Sequence, residues 1–199
     1  MNVVIFDMCK NEDIISSTLY LTLPSTFGTF SIVWRETKDG PKIYRIFLSN
    51  EQASSEELIQ RTFATAVQSS NSITNHLGKL MQSFLTGQAV EFDLDHLAFE
   101  VCSEFQRGVL LAEYGIPRGK VSTYGRIGKH LGTKKGARAV GRALAHNPFS
   151  IVIPCHRAIR SDSQLGGYQG GLDMKRALLE FEGLKISETG KVLAPRMYY

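Results

Sequence analysis

The chain has 199 residues, 43% of them apolar and 21% charged, a balance that fits one large or two small folded units and excludes disordered or fibrous chains. Its three cysteines, Cys9, Cys102 and Cys155, are odd in number and far apart, which excludes a disulfide framework and a four-cysteine zinc site and points to a reducing compartment, cytoplasmic or, in a eukaryote, nuclear. The net charge is only +4, yet residues 114–161 hold ten Lys and Arg and no Asp or Glu, leaving 13 basic against 19 acidic residues elsewhere.

In chain order, the apolar run at residues 3–6 is too short for a signal peptide or a membrane span, so no membrane partner is expected. Segments 18–23, 29–35 and 43–48 are rich in β-branched and aromatic residues and separated by turn residues, which predicts an antiparallel sheet. A helix is predicted over 54–67, capped by Ser54 or Ser55. A second follows from Ser72, where Ile73, Leu77, Leu80, Met81, Phe84 and Leu85 recur at helical spacing before Gly87. Nothing in this half suggests chemistry. A polar connection over 88–95 divides the chain into domains 1–95 and 96–199.

In the second half, Ser103 and Gln106 stand at capping-box spacing and predict a helix over 104–114, closed by Gly115 and Pro117. Ser122-Thr123 caps a short helix carrying Tyr124, Ile127 and Leu131, with Gly132 as its stop. After Thr133-Lys134-Lys135 comes a third helix over 136–145. Two short helices joined by a tight turn within the basic block predict a helix-turn-helix. Arg138 and Arg142 share a face of the third helix among small residues, including Ala137 and Gly141. Glycine inside a helix costs about 1 kcal/mol relative to alanine, and close approach to DNA is the preferred reason for Gly141 over helix packing. A one-signed block in an otherwise acidic chain favours nucleic acid as the partner.

Asn147-Pro148 ends that helix, and Ile151-Val152-Ile153 reads as a short buried strand stopped by Pro154. Cys155, His156 and Arg157 follow at its broken end. Ser161 lies just beyond, and then Tyr168 and Gln169 sit between two glycine pairs, as a mobile lid with a stacking face or as a plain hairpin turn. Asp173 is expected to cap a last helix bearing Met174, Ala177, Leu178 and Phe181. Glu182 falls in its final turn, where the helix dipole disfavours a carboxylate, so it is either incidental or placed to hold an imidazole.

Pro154-Cys155-His156-Arg157, Phe105-Gln106 with Val109, Ile116-Pro117-x-Gly119, Thr123-Tyr124-Gly125, Ala137-Arg138-Ala139-Val140-Gly141, Asn147-Pro148, Gly167-Tyr168 and Glu182-Gly183 together resemble the O6-alkylguanine-DNA alkyltransferases, in order and near-family spacing. The resemblance implies an α/β, two-domain protein: a ribonuclease-H-like antiparallel sheet with helices, then a mostly helical domain with a helix-turn-helix and a short strand. It implies irreversible, stoichiometric alkyl transfer from O6-alkylguanine, and O4-alkylthymine, to Cys155, without a cofactor or metal. His156 would serve the thiol through a water, Glu182 would orient His156, Asn147 would brace the turn, and Tyr124 would donate to the leaving guanine. The partner would be double-stranded DNA read from the minor groove by a monomer, with the damaged nucleotide flipped out.

By the same resemblance, Arg138 would fill the vacated stack and Ala137, Arg142, Gln106, Thr133 and Ser161 would contact DNA. Tyr168, Gln169, Ala158, Lys175 and Pro154 would form the alkyl pocket. Two positions depart from the family pattern: Ala158 stands where Val or Ile is usual, and Gln169 where several relatives carry serine. A helix-turn-helix regulator with an inert cysteine would explain the basic block but leave Cys155, Glu182 and Tyr168 unexplained. A cysteine hydrolase would explain Cys155 and His156 but not the charge.

Overall fold

A computed structural model describes residues 17–133 and 136–199; Cys9, one of the three cysteines from which a zinc site is excluded, and Lys134 and Lys135 of the basic block lie outside the described residues. The first half builds a four-stranded sheet from β1 (Leu19–Ser25), β2 (Gly28–Thr37), β3 (Gly40–Leu48) and β4 (Val67–Gln68) in the order β3-β2-β1-β4. β1, β2 and β3 pair antiparallel and β4 runs parallel to β1, an arrangement in keeping with the ribonuclease-H-like expectation.

α1 (Ser55–Thr62) begins with a full capping box, Ser54 accepting from the Glu57 N–H while the Glu57 carboxylate accepts from the Ser54 N–H. It stops five residues short of the predicted end. The sheet edge beside β1 offers Val67 and Ser69 partners in the Thr18 and Tyr20 carbonyls, at 3.0 and 2.8 Å, and β-branched Val67 gains more from extension than from another helical turn. α2 (Ser72–Leu85) runs as predicted, capped by Asn71, and buries Met81, Phe84 and Leu85.

The second half contains α3 (Glu104–Tyr114), β5 (Ser122–Thr123), α4 (Tyr124–His130), α5 (Ala137–Ala145), β6 (Ala158–Ile159), α6 (Gly171–Phe181) and a small hairpin, β7 (Lys185–Ile186) with β8 (Val192–Leu193). Ser103 accepts from the Gln106 N–H as a cap should, but the Gln106 side chain does not complete a box. It donates to Ala143 O at 3.2 Å and His146 O at 3.0 Å, closing the end of α5. α4 and α5 form the helix-turn-helix, and the turn is tight because glycines allow it. A Cβ on Gly128 would sit 3.3 Å from the Gly136 backbone, and one on Gly136 would meet Thr133 at 2.9 Å.

α6 starts at Gly171 with Gly170 as its cap, so Asp173 lies inside the first turn and does not cap the helix. One apolar core runs through both halves, from Phe30, Ile32 and Trp34 of the sheet, through Phe84, to Val109, Val140, Phe149 and Ile153. β3 is stitched to the second half by Ile46 N–H to Pro148 O at 2.7 Å and by a bridge between Ile43 and Leu97. Among the described residues no helix is long and apolar enough to cross a membrane.

Candidate active site

The predicted buried strand at Ile151–Ile153 is not a strand. Residues 147–154 make consecutive tight turns, with Ile153 N–H donating to Phe149 O at 2.8 Å and Ile151 at φ 76°. A β-branched residue in the left-handed region is strained by roughly 1–3 kcal/mol, and here the apolar core holds it, Ile151 being buried among its neighbours. Asn147 staples the turns from inside: Oδ1 accepts from the Phe149 N–H at 2.9 Å and Nδ2 donates to Ile153 O at 3.2 Å. Past Pro154 the chain enters a 3-10 turn, Cys155–Arg157, and only then a strand, β6, which pairs parallel with β5. The thiol is thereby tied to the start of the helix-turn-helix. Because the backbone turns at Pro154, strand alternation does not separate Cys155 from His156.

Both side chains are buried. His156 Nε2 lies 3.0 Å from Glu182 Oε1, and the carboxylate also receives Arg157 through Nε at 3.1 Å and Nη2 at 2.8 Å, and the Gly119 N–H at 3.2 Å. Burial would raise the Glu182 carboxyl, but His156 and Arg157 outweigh it and hold the group at about 2. Burial lowers His156 in spite of Glu182, so the ring is neutral at neutral pH. A carboxylate accepts only, so Nε2 carries the proton and Nδ1 keeps a lone pair. Nδ1 has no partner among the described residues and is the site's basic atom. Phe84 of α2 packs on the imidazole with ring centroids 5.8 Å apart, and Tyr168 meets it edge-on at 6.3 Å.

Cys155 opens onto a cavity of about 410 Å³ lined by Asn50, Tyr124, Gly141, Leu144, Ala145, Gly167, Tyr168 and Gln169. Burial pushes its thiol up to about 11, with Glu113 adding to the effect and Asn147 and Lys175 working against it. At rest the sulfur is a protonated thiol. Tyr124 is likewise raised to about 12, by burial and then by Glu113 and Cys155, and so remains a hydrogen-bond donor. Gly141 lies in the cavity lining, and a Cβ there would only touch Tyr124 at 3.9 Å. Tight helix packing is therefore not what Gly141 serves.

The expected pocket set divides. Tyr168 and Gln169 form the cavity wall, with the Tyr168 hydroxyl and Gln169 Oε1 buried and unpartnered. Ala158 lies wholly buried in β6, its carbonyl taken by Lys175 Nζ at 2.7 Å. Lys175 is itself fully buried, and Pro154 faces a different cavity beside Phe84 and Pro117; none of these three lines the space at the sulfur. On the outer side, Ala137, Arg138 and Arg142 are exposed on α5 next to the cavity mouth, and Ser161 is exposed after β6. Thr133 is half-buried in the helix-turn-helix turn, its N–H on Gly128 O at 2.9 Å. Gln106 spends its amide on the end of α5.

The ten basic residues are not one surface. Arg118 donates to the Gly87 and Phe181 carbonyls at 2.7 and 2.6 Å, and Arg157 is committed to Glu182. Among the described residues, Arg126, Lys129, Arg138 and Arg142 are the exposed cations of the helix pair.

The pattern of the family described as 6-O-methylguanine DNA methyltransferase, DNA binding domain, matches residues 104–184. In overall fold the chain is similar to a Mycobacterium tuberculosis OGT crystallised in complex with DNA, 30% identical, with a TM-score of 0.66 over 83% of this chain and 93% of that one. The chain belongs to the methylated-DNA–protein-cysteine methyltransferases. A further member of that family, from Methanothermobacter thermautotrophicus, is 48% identical over 111 residues, which are 54% of this chain and 62% of the relative. The match thus spans less than two thirds of that methyltransferase's length. The O6-methylguanine-DNA methyltransferase of Pyrococcus kodakaraensis shares the fold at a TM-score of 0.63 and 25% identity.

Sequence reasoning missed three residues at the site. Glu113 is a buried carboxylate in the apolar phase of α3, where Val109, Ala112 and Ile116 mark the inner face; its position was a signal in plain sight. Asn50 reaches the cavity from the end of β3 and donates to Gln169 O at 3.2 Å. Phe84 reaches His156 from α2. For the last two the sequence holds no local sign, since the contact is made across the two halves.

Proposed function

We propose that this chain repairs alkylated DNA by moving the alkyl group of O6-alkylguanine, and of O4-alkylthymine, onto the Cys155 sulfur once and without regeneration. The observation that carries this reading is the Glu182–His156 pair behind a buried thiol whose cavity opens beside an arginine-bearing helix. Double-stranded DNA would meet α5 through its minor groove and the protein would act as a monomer, in the cytoplasm or a nucleus. Domains 1–95 and 96–199 would supply the support and the chemistry respectively. Ala137 and Gly141 let the backbone approach the groove, and Arg138 takes the place of the extruded nucleotide, whose unstacking costs roughly a few kcal/mol.

In the cavity the base lies between Tyr168 and Tyr124, with Gln169 beside the alkyl group. His156 Nδ1 takes the thiol proton through a water, Glu182 stabilising the imidazolium that results. The sulfur attacks the alkyl carbon, the S–C bond forms as the C–O bond breaks, and the electron pair leaves with guanine, which accepts a hydrogen bond from Tyr124; guanine then takes a proton from water as the imidazolium returns its own to water. Lys175 assists by holding positive charge behind the sulfur, and Asn147 keeps the turn in place.

Incubation with duplex DNA carrying O6-methylguanine should add about 14 Da to the peptide containing Cys155, with one methyl per protein and no turnover. Cys155→Ser should show no added mass. A protein that binds the duplex without mass change, or that clears many adducts per molecule, would reject the proposal.

A further inference from the structure

Glu113 has no part in the reaction just described, and packing gives no reason for it. It is wholly buried on α3 among Val109, Leu110 and Ala112, and neither carboxylate oxygen has a hydrogen-bond partner. A leucine would suit those surroundings, whereas an unpaired buried carboxylate is costly. Three groups act on it: Lys175 of α6, Arg157 of the 3-10 turn and the Ala158 N–H; the N–H is bonded to the Cys155 carbonyl, and neither cation closes on the carboxylate. Lys175 Nζ donates to the Ala158 and Gly167 carbonyls at 2.7 and 3.5 Å, and Arg157 is spent on Glu182 and the Ile116 carbonyl.

Among the described residues, the remaining titratable groups facing this cluster are Cys155, His156, Tyr124 of α4 and Tyr199, and Tyr168 faces the sulfur from the cavity wall. α5 adds no charge here, since Arg138 and Arg142 are turned to solvent. Burial pushes Glu113 up to about 8 against the pull of Lys175 and Arg157. Burial brings Lys175 down to about 8, with Cys155 and Glu113 resisting. The acid and the amine therefore titrate as a coupled pair, and both act on the thiol, Glu113 raising it and Lys175 lowering it.

We propose that Glu113 is a positioning residue of the alkyl transfer, a carboxyl whose own charge governs how much of the Lys175 ammonium field reaches the Cys155 sulfur. This rests on the transfer reaction proposed above. While Glu113 is neutral, the ammonium stands uncompensated behind the thiol and favours the thiolate. Once Glu113 ionises, it offsets the ammonium charge that Lys175 still carries and sets a like charge near the developing thiolate. Reactivity then gains less from rising pH than the thiol alone would allow.

The test is the rate of iodoacetamide labelling of Cys155 between pH 6.5 and 9.5, read as mass on its own peptide, with benzyl transfer from O6-benzylguanine followed in parallel. The full chain is compared with Glu113→Gln, Glu113→Leu and Glu113→Asp. The ratio of labelling rates, Gln variant over unaltered chain, should climb roughly fivefold to tenfold between pH 7 and pH 9, as removal of one nearby negative charge implies. The Leu variant should climb with it, and the Asp variant, which keeps the carboxyl, should not. Superimposed profiles for Gln and the unaltered chain would overturn the proposal, as would a divergence shown by Leu alone, which is a packing effect. Absence of benzyl transfer from every protein, with the labelling profiles still divergent, would count against the transfer reaction and leave the effect of Glu113 on the sulfur standing.

Discussion

Replacing Glu182 by glutamine keeps the size of the side chain and removes its charge. The carboxylate accepts from His156, from two nitrogens of Arg157 and from the Gly119 N–H, and its side chain is fully buried, with that of Arg157 11% exposed. An amide can satisfy at most part of this set, and its NH2 would face donors. The folded protein holds this carboxyl at about 2 against an ordinary 4.5; at about 1.4 kcal/mol per pH unit that difference corresponds to roughly 3 kcal/mol. Independent reasoning from buried ion pairs that lose one partner gives about 3–5 kcal/mol, so the two routes agree.

The sign follows from the direction of the shift. A carboxyl depressed in the folded state lends its stability in full above the unfolded value of 4.5 and loses it as pH falls through the folded value. Equilibrium denaturation in guanidinium chloride at pH 7 should show the Glu182→Gln protein less stable by roughly 3 kcal/mol. The gap should narrow steadily below pH 4.5 and nearly close by about pH 2, the value at which the folded protein holds this carboxyl. A gap under about 1 kcal/mol at pH 7, the worth of an exposed pair, or a gap that stays constant down to pH 3, would refute the reasoning. The transfer rate should fall with the stability, since His156 loses the acceptor that fixes its tautomer.

Glu113→Leu should move stability in the opposite sense. Its carboxyl is raised from 4.5 to about 8, so the stability it contributes is complete below 4.5 and is lost as pH rises towards 8; denaturation should find the variant ahead by roughly 2–4 kcal/mol at pH 9 and nearly level at pH 4. Gly166→Ala should cost about 1–3 kcal/mol, because the residue sits at φ 70° and a Cβ would lie 2.7 Å from the Tyr124 hydroxyl; benzyl transfer should slow more than folding stability explains, by displacement of Tyr124. Arg138→Ala should slow repair in duplex DNA at least tenfold more than transfer from free O6-benzylguanine, because an exposed arginine can serve extrusion but not chemistry; equal losses on both substrates would remove that role. Phe84→Ala, measured by denaturation, should cost about 3–5 kcal/mol and also loosen the imidazole it packs against.

Local chemistry made much of this legible. Ser103, Thr123 and Ser72 announce helix starts, though the cap before Ser72 is Asn71, and α3, α4 and α5 lie within a residue of their predicted bounds. Glu182 stood at a helix end where a carboxylate is disfavoured, and it proves to hold His156. The failures have a common cause. Ile151-Val152-Ile153 carries strand propensity, yet Asn147 and the surrounding core force it into turns, with Ile151 in a conformation that its own sequence opposes. The end of the predicted 54–67 helix was likewise overruled by the free edge of β1. Arg118 and Arg157 looked like part of a DNA-facing block because sequence shows charge without showing which carbonyl or carboxylate awaits it.

The resting state of the sulfur suits a protein that reacts once. With the thiol at about 11, roughly one molecule in ten thousand carries the thiolate at pH 7, so adventitious oxidants and electrophiles meet an unreactive group. Under the proposed reaction each such encounter would waste a whole protein, and inertness is worth more than speed. The capacity to react is held nearby instead, in the unpartnered Nδ1 of a neutral His156 whose other nitrogen is already fixed on Glu182. On the proposed reaction, a flipped base entering the cavity would bring the electrophilic carbon to the sulfur and its leaving group to the Tyr124 hydroxyl, so that deprotonation and attack would occur together and only on the lesion. The same logic explains why the polar atoms at the cavity, on Tyr168, Gln169 and His156, are buried without partners: satisfied in advance, they would have nothing left to offer a base.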